Sequence, residues 1–122
     1  MRRWLLVLLA APATQACELP GGAAQRVAAG GVTVVYRAAP IQVGKHFSLD
    51  LQVCPAPQAL AVDAWMPAHQ HGMNYRPSVT ALGGGRYRAE GLMFHMPGRW
   101  ELVFEVRAGD STQRLAREVL LE

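Results

Sequence analysis

Between Phe47 and Cys54 every second residue is apolar: Phe47, Leu49, Leu51 and Val53 alternate with Ser48, Asp50, Gln52 and Cys54. Successive side chains of an extended chain point to opposite faces, so this run commits one face to a core and the other to water. A helix would scatter the same four apolar residues around its axis. The period of two returns in Leu60, Val62, Ala64 and Met66 until Pro67 stops it, and again in Trp100, Leu102, Phe104 and Val106, with Glu101, Glu105 and Arg107 between them. Further strands are predicted at Val32–Tyr36, Val79–Leu82, Arg86–Gly91 and Arg114–Leu121, with turns at Gly83-Gly84-Gly85 and Gly109-Asp110. No segment requires a helix longer than a turn. About seven short strands at near-regular spacing predict an all-β fold, an immunoglobulin-like β-sandwich. The triple glycine is a local turn and not a phosphate loop, because no Lys-Ser/Thr and no strand-to-helix context follow it.

The ends of the chain set its compartment. Arg2 and Arg3 precede an apolar run from Trp4 to Ala11, and Thr14-Gln15-Ala16 supplies small residues for cleavage. That order is expected of a secretory signal peptide over residues 1–16, and the run falls short of the ~20 apolar residues a spanning helix needs. No later segment offers a membrane span, so the mature chain is expected in the periplasm or outside the cell. Cleavage would leave about 106 residues, enough for one domain with one modest core. We divide them into an N-terminal arm over 17–31 and a β-sandwich domain over 32–122. Removing Arg2 and Arg3 from twelve basic residues leaves ten against nine acidic ones, so the net charge of +3 owes most to the leader. Nucleic acid is not implied as a partner.

Two cysteines remain, Cys17 at the expected new N-terminus and Cys54 before Pro55. In an oxidising compartment an even pair closes a disulfide, here pinning the arm to a strand. Two other uses stay open: a lipid anchor on Cys17, which directly follows the leader although Thr14 and Gln15 fit that signal poorly, and thiolate ligation of a metal.

The chemistry-bearing residues are concentrated in two places. Met66-Pro67-Ala68-His69-Gln70-His71-Gly72-Met73 and Met93-Phe94-His95-Met96-Pro97-Gly98 hold three of the four histidines and four of the five methionines. Imidazole and thioether are the donors that softer transition metals select, copper above all. Residues two apart on an extended chain point the same way at roughly 6.6 Å separation, so His69, His71 and Met73 are expected on one side, and Met93 with His95 on the facing segment. A hairpin centred near Gly84 matches Leu82 with Arg86 and Thr80 with Arg88, and carried further it sets Met73 against His95. Zinc fits less well, since the nearest acids, Asp63 and Glu90, lack ligand spacing.

Each of these residues also has a plainer use. Met66 and Met96 precede prolines and suit irregular core gaps. His46, between Lys45 and Phe47, reads as a surface histidine at a strand start. Trp100 opens an alternating strand and reads as core, whereas Trp65 has the opposite parity to Val62, Ala64 and Met66 and is placed on the other face. His-x-His on a glycine-containing loop contributes little to a core, and it gains weight from Met73 and the second His/Met group.

The segment from Ala64 to Val106 carries M-P-x-H-x-H-G-M at 66–73, G-R-Y at 85–87 and M-P-G-x-W at 96–100. It resembles the YtkA-like and FixH-like group of small exported bacterial proteins. The resemblance implies an immunoglobulin-like β-sandwich facing the periplasm and a link to copper handling, the FixH branch being associated with assembly of copper-containing haem oxidases. By position, His69, His71 and Met73 match the group's His/Gly/Met loop and Met96 the methionine of its M-P-G turn; His95 rests on the hairpin geometry. A FixH protein keeps an N-terminal membrane helix where this chain has a short leader.

The expected function is therefore a periplasmic copper-binding protein for storage, delivery or homeostasis, with His69, His71, Met73, His95, Met93 and Met96 as metal ligands. Its expected partners are the copper ion and a periplasmic copper-trafficking or oxidase-assembly protein. The competing expectation is a non-metal exported interaction or assembly module. An enzyme is not expected, because Ser48, Ser78 and Ser111 lack a His/Asp arrangement and no paired carboxylates stand out.

Overall fold

The computed structural model describes residues 2–9 and 16–122. Among the described residues nine strands follow one another: β1 (Gln25–Ala29), β2 (Val32–Ala38), β3 (His46–Cys54), β4 (Ala59–Met66), β5 (His71–Gly72), β6 (Ser78–Gly83), β7 (Arg86–Met93), β8 (Gly98–Ala108) and β9 (Ser111–Leu121), with one 3-10 turn at Pro67–His69. They form a five-stranded antiparallel sheet in the order β1-β2-β3-β7-β6 and a four-stranded one in the order β5-β4-β8-β9. The two pack face to face as a β-sandwich, as the alternation requires. Leu49, Leu51, Val53, Ala89 and Leu92 from the first sheet meet Val62, Leu102, Phe104, Val106 and Leu115 from the second, all buried. Each large apolar side chain buried this way contributes roughly 1.5–3 kcal/mol. Tyr36 bridges the layers against Phe104, ring centroids 5.1 Å apart; burial pushes its phenol pKa up, a rise partly offset by Arg117.

Nine strands stand where about seven were expected. β5 has two residues, too few to display a period. β1 lies inside the segment expected as an arm, so the sandwich begins at Gln25 and not at 32. Its burial is slight, with only Val27 half-buried. The signal for it was Gly30-Gly31, which joins Ala29 to Val32 with both φ angles positive, 57° and 78°. That is the backbone of the tightest hairpin turns.

The rest of the arm is fastened as well. Leu19 and Cys17 cover Val35 on the outer face of β2, which explains why Val34, Val35 and Tyr36 are all buried in a strand that should alternate. The Arg37 guanidinium donates to the carbonyls of Leu19, Pro20, Gly22 and Ala23, and Arg26 donates to that of Cys17. Cys17 is disulfide-bonded to Cys54, Cα atoms 5.8 Å apart. A sulfur so engaged is free for neither a lipid anchor nor a metal. Residues 2–9 form no regular element, and Trp4 to Leu9 are exposed. Of the expected cleavage site only Ala16 is among the described residues. No helix among them is long and apolar enough to cross a membrane.

The two lateral sides of the sandwich differ. On one, Arg117 of β9 donates to the Arg26 carbonyl and the Gln25 side chain of β1, tying sheet to sheet. On the other, β6 is an edge strand without a charged residue, and β4 pairs outward with β5 only through Trp65 and Met66.

The β6–β7 hairpin matches Thr80 with Arg88 as expected, but a bulge sets Gly83 and not Leu82 against Arg86. Gly83, Gly84 and Gly85 all have positive φ. At Gly85 a Cβ would also strike the Val53 carbonyl oxygen, whereas at Gly84 it would meet nothing within 4 Å.

Two stability outcomes follow from this arrangement. Replacing Cys17 and Cys54 together by Ser should lower the unfolding free energy by roughly 2–4 kcal/mol in urea titrations, since the bond closes a loop spanning 37 residues. Gly85→Ala should cost more than Gly84→Ala by over about 1 kcal/mol, because both pay for the left-handed backbone but only the first must displace a carbonyl.

Candidate metal centre

Pro67 breaks β4 and starts the 3-10 turn, and Gln70, in a left-handed conformation at φ 52°, folds the chain back. β5 then runs antiparallel to β4 with Met66 opposite His71 and Trp65 opposite Gly72. Cross-strand partners share a face. Met66 is buried, so the His71 imidazole is also turned inward at the end of the sandwich, while Trp65 faces out and is 40 % exposed. Gly72 lies close against β4, where a Cβ would sit 3.2 Å from the Ala64 carbonyl oxygen.

The second segment arrives from the other sheet. β7 ends at Met93, and Phe94 turns into the core, stacked on Trp100 at 4.7 Å and edge-on to Phe47 at 5.0 Å. Trp100 is fully buried, and its indole N–H donates to the Met96 carbonyl at 3.1 Å, fixing the Met96-Pro97 turn. Gly98 begins β8 at φ 129°, against the end of Met66, whose Cε would lie 3.0 Å from a Cβ there. The crossing between sheets brings His95 beside His71.

A row of imidazoles results. Ring centroids are 5.7 Å apart for His69 and His71 and 5.1 Å for His71 and His95, with planes tilted by 29° and 33°. Trp100 is the floor, edge-on to His71 at 5.8 Å and to His95 at 5.4 Å. His69 is exposed, and His71 and His95 are half-buried. The two segments therefore meet, but through His71 and His95. The expected pairing of Met73 with His95 is not made: the β6–β7 ladder ends at Ser78 and Glu90, because Pro77 offers no N–H and the chain before it has crossed to the other sheet.

The methionines divide. Met66 is core. Met73 and Met96 are half-buried against the rim of the core, and Met73 lines a groove with Trp65, Tyr75 and Arg76. Met93 faces away from the core, directly across from His46 of β3. Trp100 reads as core from its alternating strand and is core; its place beneath the histidines depends on packing that no local pattern encodes.

Two nitrogens define what the row can bind. His71 Nδ1 lies 3.0 Å from the Gly72 carbonyl oxygen. A carbonyl only accepts, so Nδ1 carries the proton and the neutral ring keeps its lone pair on Nε2. Metal-bound histidines use that same arrangement, one nitrogen tied to a backbone carbonyl and the other coordinating. His95 Nδ1 is buried without any hydrogen-bond partner, a condition that costs about 1–3 kcal/mol unless a ligand relieves it. Two imidazoles sharing an ion through bonds of about 2 Å have ring centroids roughly 5–6 Å apart, the spacing found here. Among the described residues, however, no three His, Cys, Asp or Glu already converge on one point.

Residues 32–105 match the model of the YtkA-like family. No curated protein and no solved structure gives a significant match.

The fixed tautomer is directly observable. Long-range 1H–15N correlation spectra at pH 8 should place the His71 proton on Nδ1, and a Nε2–H tautomer would remove the case for a coordinating Nε2.

Proposed function

The chain belongs to the YtkA-like family, and on that premise we propose that it is a periplasmic copper-binding protein that holds or hands over the ion at the His69–His71–His95 row. Its Cys17–Cys54 disulfide accords with an exported protein. The observation that carries the reading is the pair of available nitrogens above Trp100, His71 Nε2 left free by its tautomer and His95 Nδ1 buried without a partner. Met73 and Met96, half-buried against the core, lie within two residues of His71 and His95 respectively in the sequence. Copper is preferred to zinc because the donors are imidazole and thioether without a carboxylate among them. Neutral ligands leave the ion's charge uncompensated, which suits release to another protein over permanent storage. A copper-trafficking or oxidase-assembly protein is the partner this predicts, and the role is that of a carrier and not of a catalyst.

Mature protein loaded with copper(I) under ascorbate, or with copper(II), then desalted, should retain about one equivalent. The double variant His69→Ala/His71→Ala should retain less than a tenth of that while keeping its unfolding midpoint. A folded protein that retains no copper in either redox state would overturn the reading in favour of an interaction module, for which the uncharged β6 edge is the available surface.

A further inference from the structure

Met93 belongs to the sequence-selected set, yet the histidine row leaves it aside. In β7 Leu92 is fully buried and faces the core, so Met93 beside it faces out. Its partner across the ladder is His46, whose neighbour Phe47 is likewise buried, so His46 faces out too. Directly paired residues on one face have Cβ atoms about 4.5–5.5 Å apart. Tyr75 lies in the segment between β5 and β6, beyond the end of the β6–β7 ladder. The rings of His46 and Tyr75 nevertheless meet each other, centroids 5.0 Å apart and edge to face.

The contact of the His46 ring with Tyr75 does not call for a thioether directly across the ladder from it. What the ladder sets side by side is a soft sulfur and a nitrogen lone pair, both neutral, on an exposed face, with Met93 half-buried and His46 open to solvent. Their spacing is held by strand pairing, and the Gly44 N–H donates to the Phe94 carbonyl at 2.8 Å, tying together the chain just before one donor and just after the other. We propose that His46 and Met93 form a second, outward-facing position for a soft monovalent cation of the copper(I) class, with Tyr75 packed edge-on to the imidazole. It uses none of His69, His71 or His95 and does not rest on them. Two neutral ligands with Lys45 adjacent make a weak, rapidly exchanging site, one that titration detects and desalting strips.

Silver(I), a redox-inert stand-in for copper(I), tests this by NMR on mature protein with 13C-methyl methionine and 15N-histidine labels. The Met93 methyl and the His46 ring should shift together and saturate at about one equivalent in the triple variant His69→Ala/His71→Ala/His95→Ala. In the wild type, His46→Ala or Met93→Leu should weaken that titration at least about tenfold, consistent with loss of one of two ligands, without moving the unfolding midpoint; this arm stands even if the triple variant does not fold. A Met93 methyl unmoved by silver, or one whose shift survives His46→Ala unchanged, overturns the proposal. Shifts at His46 and Met93 with none at His71 and His95 would instead reject the copper centre and leave this outer position standing.

Discussion

Trp100 is the side chain on which the end of the sandwich depends. Its ring stacks on Phe94 from the other sheet, its N–H holds the Met96 carbonyl, and its edges receive His71 and His95. An aromatic that buries so much area and satisfies its one donor inside a turn fixes both layers at once. The turn it holds is the crossing from β7 to β8, so the position of His95 is decided by the tryptophan more than by neighbours in sequence. His71 arrives from an unrelated direction, carried by a strand of two residues. The candidate centre is thus a product of core packing, with side chains of quite different origin resting on one indole.

The sandwich is asymmetric about this axis. On the β1–β9 side, Arg117 joins the sheets and Arg37 gathers four arm carbonyls. On the β4–β6 side β6 carries no charge, and β4 is covered only by β5 along Trp65 and Met66. Natural edge strands are usually guarded by lysine, proline or a bulge, and β6 has the bulge at Leu82 alone. Met93 ends β7 and His95 lies in the crossing from β7 to β8, so the His46–Met93 pair and the imidazole row both adjoin the turn that Trp100 holds.

Strands with one buried face were legible because burial imposes a period of two, and Phe47 to Val53 could be read in no other way. β1 lacked that imprint, since a nearly exposed strand has no face to mark, and only Gly30-Gly31 announced it. β5 was illegible in principle: two residues carry no period. The meeting of the two His/Met segments was foreseen by extending one hairpin, but the chain does not stay in one sheet. Pro77 ends the ladder, Gly72 settles against Ala64, and the contact is remade between His71 and His95. His46 read as a bare surface histidine because its partner Met93 is 47 residues further along the chain, and only the β3–β7 register joins them.

The Arg37 clasp bears on the order of events when the disulfide forms. Four charge-assisted hydrogen bonds to the carbonyls of residues 19–23, with Leu19 seated on Val35, need no oxidant. They hold the arm on β2 while β2 is paired to β3, and so keep one thiol within a few ångströms of the other. The effective concentration of Cys17 at Cys54 is then set by folding and not by chance encounter of a free tail. An oxidase acting on this protein would meet two sulfurs that are already neighbours.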